Sequence, residues 1–265
     1  MANNRGTLEG DIQEIEFVRE FNKNKKSAKY DVFTKGLPLC LDNVYMVRVT
    51  TNQFSKLSNK ITKTRSDCYA VYSVDDNINS VLVDNDFYLS ESLLEGIDHI
   101  KIDKTGVSVK IADSNNFQIL KMRPKSFFEL FGNYELGAGS SLFCLRENEL
   151  IKNRQLLEGW CTTADRMTEY FDFVEHPDDL FCNKNVCENI KNFCNNKISQ
   201  LINDSRELKE KIFNGYPIYE EPYSAWYLFS HGALQKLNYI PFVVTTGSGR
   251  THGDYTLVLK PKKEG

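Results

Sequence analysis

The 265-residue chain lacks the features that mark several large classes of protein. Its N-terminus has no apolar segment followed by a small-residue cleavage site, so a signal peptide is not expected. No apolar run approaches the roughly 18 residues that cross a bilayer, so we expect neither a membrane-spanning helix nor a membrane partner. These absences predict a cytoplasmic protein whose seven cysteines are mostly reduced and buried.

Several catalytic and binding motifs are also missing. The segment 137–141 has neither the Lys-Ser/Thr ending of a P-loop nor the G-x-G-x-x-G pattern of a dinucleotide fold. The chain has no G-x-S-x-G elbow, which argues against a serine hydrolase. Cys182, Cys187 and Cys194 do not have the paired spacing of zinc ligands. Cys187 and Cys194 fit instead the buried face of a helix.

The composition is that of a globular protein. Hydrophobic residues make up 41% of the chain, and the net charge of −3 neither demands nor excludes a nucleic-acid partner. Strand-like and helix-like patterns both occur, which predicts a mixed α/β fold. We expect a single domain over residues 1–265, with a mainly helical insertion or subdomain at about 145–235.

Local patterns predict individual elements. A helix is expected over residues 8–22, with Ile12, Ile15, Val18 and Phe21 on its apolar face. Strands are expected within 43–51 and 66–74, a hairpin within 97–111, a short helix at 123–132, a glycine-rich turn at 136–141, and two strands joined by a glycine-rich loop within 240–263.

The segment "GVSVKIADSN" at 106–115 places a lysine within a valine-rich strand pattern. Val107 and Val109 share one face of such a strand, while Ser108 and Lys110 share the other. A strand lysine ordinarily reaches solvent, so a functional Lys110 needs a partner. Asp67, at the start of an earlier predicted strand, is the candidate, although it could also be a simple turn residue. An aspartate at the start of a strand can hold Mg²⁺. A lysine on the neighbouring strand can then orient or deprotonate the attacking water.

This arrangement resembles the PD-(D/E)XK nuclease superfamily, and within it the type II restriction endonucleases. The family motif is an aspartate on one strand and an acid-x-lysine triplet on the next, which correspond here to Asp67 and to Ser108-Val109-Lys110. Ser108 stands where the family usually has an acid, and its separation from Asp67 is longer than is common.

The resemblance implies a central mixed β-sheet flanked by helices and a site with assigned roles. Asp67 would bind Mg²⁺, the carbonyl of Val109 would complete the metal shell, and Lys110 would position or activate water. Ser108 would occupy the position of the missing acid. Glu14 in the N-terminal helix is the candidate second acid and metal ligand, with Glu9 as the other possibility.

Two basic stretches predict contacts with DNA. Residues 101–125 carry six basic and two acidic residues, and residues 236–263 carry five and one, so each stretch has a net charge of +4. Lys121, Arg123 and Lys125 follow the lysine strand as candidate phosphate contacts. The glycine-rich loop, if it is more than an ordinary hairpin, would approach a DNA groove with Thr246, Ser248, Arg250 and His252.

The sequence therefore predicts a Mg²⁺-dependent, sequence-specific double-strand DNA endonuclease. A homodimer is expected because protein symmetry mirrors the two-fold symmetry of DNA sites. One alternative is a catalytically silent DNA-binding protein on the same fold, which the serine at position 108 keeps open. Another alternative is a nuclease for RNA or for branched DNA.

Overall fold

The structure, a computed structural model, describes residues 3–54, 61–110, 120–240, 242–246 and 256–261. Its contacts divide the chain into two compact units. Unit 1 consists of Met1–Asn115 and Glu210–Ile240, and unit 2 consists of Asn116–Lys209 and Pro241–Gly265. The prediction of a single domain with a helical insertion at about 145–235 stays a prediction.

Helices and strands occur in groups along the chain, and the helices between residues 124 and 209 follow one another before the last four described strands. The α-helices are α1 (Asn3–Asn24), α2 (Asp31–Thr34), α3 (Asn77–Asp84), α4 (Pro124–Phe131), α5 (Glu135–Ser141), α6 (Asn153–Gly159), α7 (Ala164–Tyr170), α8 (Asp179–Cys182), α9 (Lys184–Asp204) and α10 (Arg206–Lys209). The strands are β1 (Val44–Arg48), β2 (Asn52–Phe54), β3 (Ile61–Lys63), β4 (Cys68–Tyr72), β5 (Ile100–Lys101), β6 (Val107–Val109), β7 (Leu120–Met122), β8 (Tyr227–Ser230), β9 (Ala233–Lys236), β10 (Phe242–Thr246) and β11 (Leu257–Pro261). Among the described helices, none combines the length and the apolar character needed to cross a membrane.

The main sheet lies in unit 1, with its strands in the order β1-β4-β6-β8-β9 and with β5 also paired to β4. Strands β6 and β8 run parallel, whereas the other neighbouring strands run antiparallel. The sheet is therefore mixed, and the predicted mixed α/β fold is confirmed.

Both faces of this sheet are covered. One face packs against α1 and the following turn, through a cluster that includes Phe17, Val18, Phe21, Val44, Met46, Cys68, Ala70, Val107 and Val109. The opposite face packs against α3 and two loops, through a cluster that includes Tyr45, Val47, Tyr69, Val71, Ile78, Leu82 and Tyr223. Alternate residues of β1 and β4 thus enter different clusters, as the period of two requires. The predicted central sheet flanked by helices is confirmed.

Helix α1 is present where the apolar spacing predicts it, but its inward face differs from the prediction. Phe17, Val18 and Phe21 are buried, whereas Ile12 is 51% exposed. Residues 11, 14, 18 and 21 share one side of a helix because they are three or four positions apart. The side that meets the sheet therefore changes from apolar in the second half of α1 to acidic, at Asp11 and Glu14, in the first half.

The predicted hairpin within 97–111 is wrong. Strands β5 and β6 both pair with β4, at Val71↔Lys101 and Cys68↔Val107. Gly106, which lies between these two strands, allows another part of the backbone to approach closely and does not form a hairpin turn. The carbonyl of Gly106 accepts hydrogen bonds from the N–H groups of Trp226 and Tyr227 at 2.8 and 3.0 Å. A Cβ at this position would overlap the carbonyl oxygen of Ser224.

Unit 2 contains an antiparallel sheet in the order β10-β11-β7. It confirms the two strands predicted within 240–263, and α4 confirms the short helix. The turn predicted at 136–141 is wrong, because these residues belong to the buried helix α5. A Cβ on Gly137 would overlap Trp160, and a Cβ on Gly139 would overlap the Sγ of Cys194. These glycines therefore permit tight helix packing.

The predicted burial of Cys187 and Cys194 on one helix is confirmed. All seven are free, and Cys187 and Cys194 are buried on α9. Cys182 is exposed at the end of α8.

Candidate active site

The main sheet brings Asp67 and Lys110 together. Asp67 directly precedes β4, Lys110 directly follows β6, and these two strands are neighbours. The Nζ of Lys110 lies 3.7 Å from the Oδ2 of Asp67, and the two side chains are 25% and 26% exposed. The pair is thus half-buried yet open to a small ligand.

The position of the Asp67 carboxylate follows from the way the β4–β6 ladder ends. The N–H of Asp67 donates to the carbonyl of Val107 at 2.8 Å. Two residues further along β6, the N–H of Val109 donates to Oδ2 of Asp67 at 2.7 Å. The Asp67 carboxylate therefore accepts a hydrogen bond that a backbone carbonyl of the neighbouring strand would otherwise accept.

The carbonyl of Val109 belongs to the same edge of β6. In an antiparallel pair, the N–H and C=O groups of one residue point toward the same neighbouring strand. Because the N–H of Val109 points to Asp67, its carbonyl oxygen is also directed to that side. A neutral oxygen donor thus accompanies the carboxylate.

Ser108 supports the same carboxylate. Its hydroxyl donates to Oδ2 of Asp67 at 3.2 Å, and the residue is 8% exposed. It therefore orients Asp67 and brings no charge of its own. Its predicted place in the catalytic set stays a prediction.

Glu14 reaches the site from α1. Its Oε2 accepts a hydrogen bond of 2.7 Å from the Nε of Arg48, and its side chain is 19% exposed. Burial and the charge of Asp67 raise the pKa of Glu14, while the bond to Arg48 opposes this rise. Glu14 therefore lies within electrostatic range of Asp67. Glu9, the other acid considered, is exposed.

Two further charged residues adjoin this site, and the sequence interpretation missed both. Arg48 ends β1, and its Nη2 donates to Oδ1 of Asp11 at 2.6 Å. The signal was available in part, since Asp11 and Glu14 are spaced to share one helix face. Their partner, however, lies 34 to 37 residues further along the chain.

The oxygen donors here fit a hard cation only in part. Mg²⁺ prefers carboxylate and carbonyl oxygens and keeps several waters. Asp67, Glu14 and the Val109 carbonyl offer such donors. Within the described ranges, however, no group of three or more His, Cys, Asp and Glu side chains could hold a metal ion. The Mg²⁺ site therefore stays a prediction.

Four of the predicted DNA contacts are described by the structure, and these four lie in unit 2. Lys121 is in β7, Arg123 directly precedes α4, and Lys125 is in its first turn; all three are exposed. Thr246 ends β10. Ser248, Arg250 and His252 lie outside the described residues. The roles of all seven residues stay predictions.

Comparison with known proteins gives distant structural likeness only. No family model matches the chain, and no curated protein matches its sequence. Among solved structures, the chain is similar to the restriction endonuclease MspI, crystallised in complex with its cognate DNA. The alignment covers 97% of this chain and 91% of that chain, with 11% sequence identity and a TM-score of 0.45. A likeness of this size carries no conclusion about what this chain does.

Proposed function

We propose that the protein is a Mg²⁺-dependent, sequence-specific endonuclease of the type II restriction class that cleaves double-stranded DNA. The observation that carries this proposal is the pair formed by Asp67 and Lys110, 3.7 Å apart at the ends of neighbouring strands. The N–H of Val109 holds the carboxylate beside the lysine, and a carboxylate and a lysine so placed can serve metal-assisted phosphodiester hydrolysis.

Each residue of the site has a distinct task in this proposal. Asp67, Glu14 and the carbonyl of Val109 hold the cation, and Ser108 keeps Asp67 in place. Bound Mg²⁺ would neutralise phosphate charge and lower the pKa of a bound water. The ammonium of Lys110 donates a hydrogen bond that orients the attacking water and offsets the phosphate charge. Water oxygen adds to phosphorus and the water gives up a proton to solvent, while the bond to the 3′ oxygen breaks and that oxygen takes a proton from solvent, leaving 5′-phosphate and 3′-hydroxyl ends.

DNA recognition in this proposal uses the basic stretches. Lys121, Arg123 and Lys125 contact phosphates, which position the protein on the duplex. Thr246, Ser248, Arg250 and His252 contact base edges in a groove. A homodimer places two such sites on a two-fold symmetric sequence. The cytoplasmic location is part of the same proposal.

A catalytically silent DNA-binding protein is the second candidate. Ser108 contributes a hydroxyl instead of a carboxylate. In addition, the described residues hold no group of three or more potential metal-binding side chains. Both observations favour weakened metal binding. A nuclease for RNA or branched DNA would use the same Asp67–Lys110 pair, so only its substrates separate it from the first proposal.

The test is digestion of a phage DNA of known sequence, with Mg²⁺ and then with EDTA. Discrete fragments that require Mg²⁺ are expected, and mapping their ends would identify the recognition site. A smear, or preferential cleavage of a structured RNA or a four-way junction, would contradict sequence-specific cleavage. A gel shift without cleavage under several divalent metals would favour the silent binding protein.

A further inference from the structure

Arg48 connects α1 to the edge of the candidate site. It ends β1, and its register partner on β4 is Cys68, the residue next to Asp67. Its guanidinium donates from Nε to Glu14 at 2.7 Å and from Nη2 to Asp11 at 2.6 Å. Two acids of one helix face are therefore bound by a single planar group that suits carboxylate oxygens.

The bond between Arg48 and Glu14 is the more buried of the two. The side chains of Arg48 and Glu14 are 20% and 19% exposed, whereas Asp11 is 43% exposed. Arg48 thus pairs with Asp11 and Glu14, while Lys110 pairs with Asp67. Without Arg48, the Glu14 carboxylate would lose the cation that offsets both its burial and the charge of Asp67.

Two roles are compatible with an arginine beside a cation site. It could occupy the position of the cation and leave when the cation binds, or it could hold a ligand in place. The contact with Asp11 favours the second role, because a second carboxylate anchors the guanidinium. Glu14 accepts its bond from Arg48 through Oε2, and a carboxylate has another oxygen with which to bind a cation.

We propose that Arg48 is a positioning residue that holds the carboxylate of Glu14 toward Asp67, so that both can bind one divalent cation. Asp11 anchors the guanidinium in this arrangement. The inference rests on the proposed function, which makes Asp67 and Glu14 cation ligands. Arg48 itself touches neither the cation nor the DNA and acts through Glu14.

The test is calorimetric titration of the full chain with Mn²⁺ in the absence of DNA. Arg48→Lys keeps the charge but cannot reproduce the two-armed contact. We expect it to weaken Mn²⁺ binding about tenfold, as the loss of groups that orient metal ligands does. Arg19→Lys is the matched control, since Arg19 is an arginine on α1 that pairs with a different carboxylate, Asp86, at 3.7 Å. It should leave Mn²⁺ binding unchanged.

A double variant separates positioning from a general effect of charge. If Arg48 acts through Glu14, then Arg48→Lys combined with Glu14→Gln binds Mn²⁺ no more weakly than Glu14→Gln alone. Additive losses, or unchanged or tighter binding by Arg48→Lys, would overturn the inference. If Arg48→Lys does not fold, Asp11→Asn removes only the anchor and should weaken binding by a smaller factor. Unchanged binding by that variant would also overturn it.

The outcomes distinguish this inference from the proposed function. Mg²⁺-dependent DNA cleavage by the unaltered protein, together with unchanged Mn²⁺ binding by Arg48→Lys, would reject the positioning role alone. Mn²⁺ binding that depends on Asp67 and Arg48, together with no cleavage of any DNA, would reject the endonuclease alone. An unaltered protein that binds no Mn²⁺ would overturn the positioning role.

Discussion

At the scale of single residues, long-range partners decide what each charged side chain does. Lys110 and Asp67 were predictable because strand alternation and a short motif both point to them. Arg48 was not, because its contacts with Asp11 and Glu14 join distant parts of the chain. A residue's place in a strand thus follows from local sequence, whereas its ionic partners follow from the fold.

Glu91 shows how strongly such partners can act on one carboxylate. Its Oε2 accepts hydrogen bonds from the N–H groups of Thr50 and Thr51, both at 2.8 Å, and its Oε1 accepts one from the hydroxyl of Tyr69 at 3.0 Å. Burial alone would raise the pKa of Glu91, but these bonds outweigh burial and lower it. The ionised form is therefore the one that stabilises the folded chain.

We predict that Glu91→Gln lowers the free energy of unfolding at neutral pH by about 1.5–3 kcal/mol, the range for hydrogen bonds to charged groups. Because the folded pKa is depressed, this contribution is complete above the unfolded pKa of about 4.3 and is lost as pH falls through the folded value. Urea unfolding from pH 7 to pH 3 should show the difference shrinking. The exposed Glu95→Gln is the control, and a loss for Glu91→Gln that does not vary with pH would contradict the prediction.

At the scale of elements, the predicted hairpin and the predicted turn that proved wrong both lie in segments that contain glycine. Turn propensity assigns a hairpin around Gly106 and a turn to 136–141. In the structure, the backbone of Ser224 lies directly against Gly106. The side chains of Trp160 and Cys194 lie against Gly137 and Gly139 of the buried helix α5. Glycine permits both turns and close packing, and only the tertiary neighbours determine which applies.

Two helical glycines should respond in opposite ways to a methyl group. A Cβ on Gly139 in α5 would overlap the Sγ of Cys194, whereas a Cβ on Gly10 in α1 meets nothing within 4 Å. We predict that Gly139→Ala destabilises the protein by about 1–3 kcal/mol through overpacking. Gly10→Ala should stabilise it by about 0.5–1 kcal/mol because alanine favours the helix. Urea unfolding of both variants measures this, and a tolerated Gly139→Ala would refute the close packing of α5.

At the scale of the whole molecule, charge distribution matters more than net charge. The chain carries a net charge of −3, yet each of its two basic stretches carries +4. The mixed fold follows from strand and helix patterns in the sequence. The division into two units does not, because each unit combines segments that are distant along the chain.

We predict that DNA affinity falls steeply with salt, since phosphate contacts release counterions. Lys125→Ala should reduce the slope of log K against log salt by about one, as expected for the loss of one phosphate contact. Lys35→Ala is the control, because Lys35 is exposed and already pairs with Asp31 at 2.6 Å. Fluorescence anisotropy at several salt concentrations measures both slopes. Equal slopes for the two variants would remove Lys125 from the DNA-binding surface.

The most direct test of the central claim is the single-turnover cleavage rate of Lys110→Ala, with DNA binding measured on the same preparation. The proposed role of Lys110 predicts a rate reduced by about 10²–10³-fold with DNA affinity retained, as expected for the loss of a donor that orients the attacking water and offsets phosphate charge. Lys23 on α1 pairs with Asp86 at 2.6 Å, and the control variant Lys23→Ala should cleave at the normal rate. Normal cleavage by Lys110→Ala would contradict the claim that Asp67 and Lys110 form the catalytic centre.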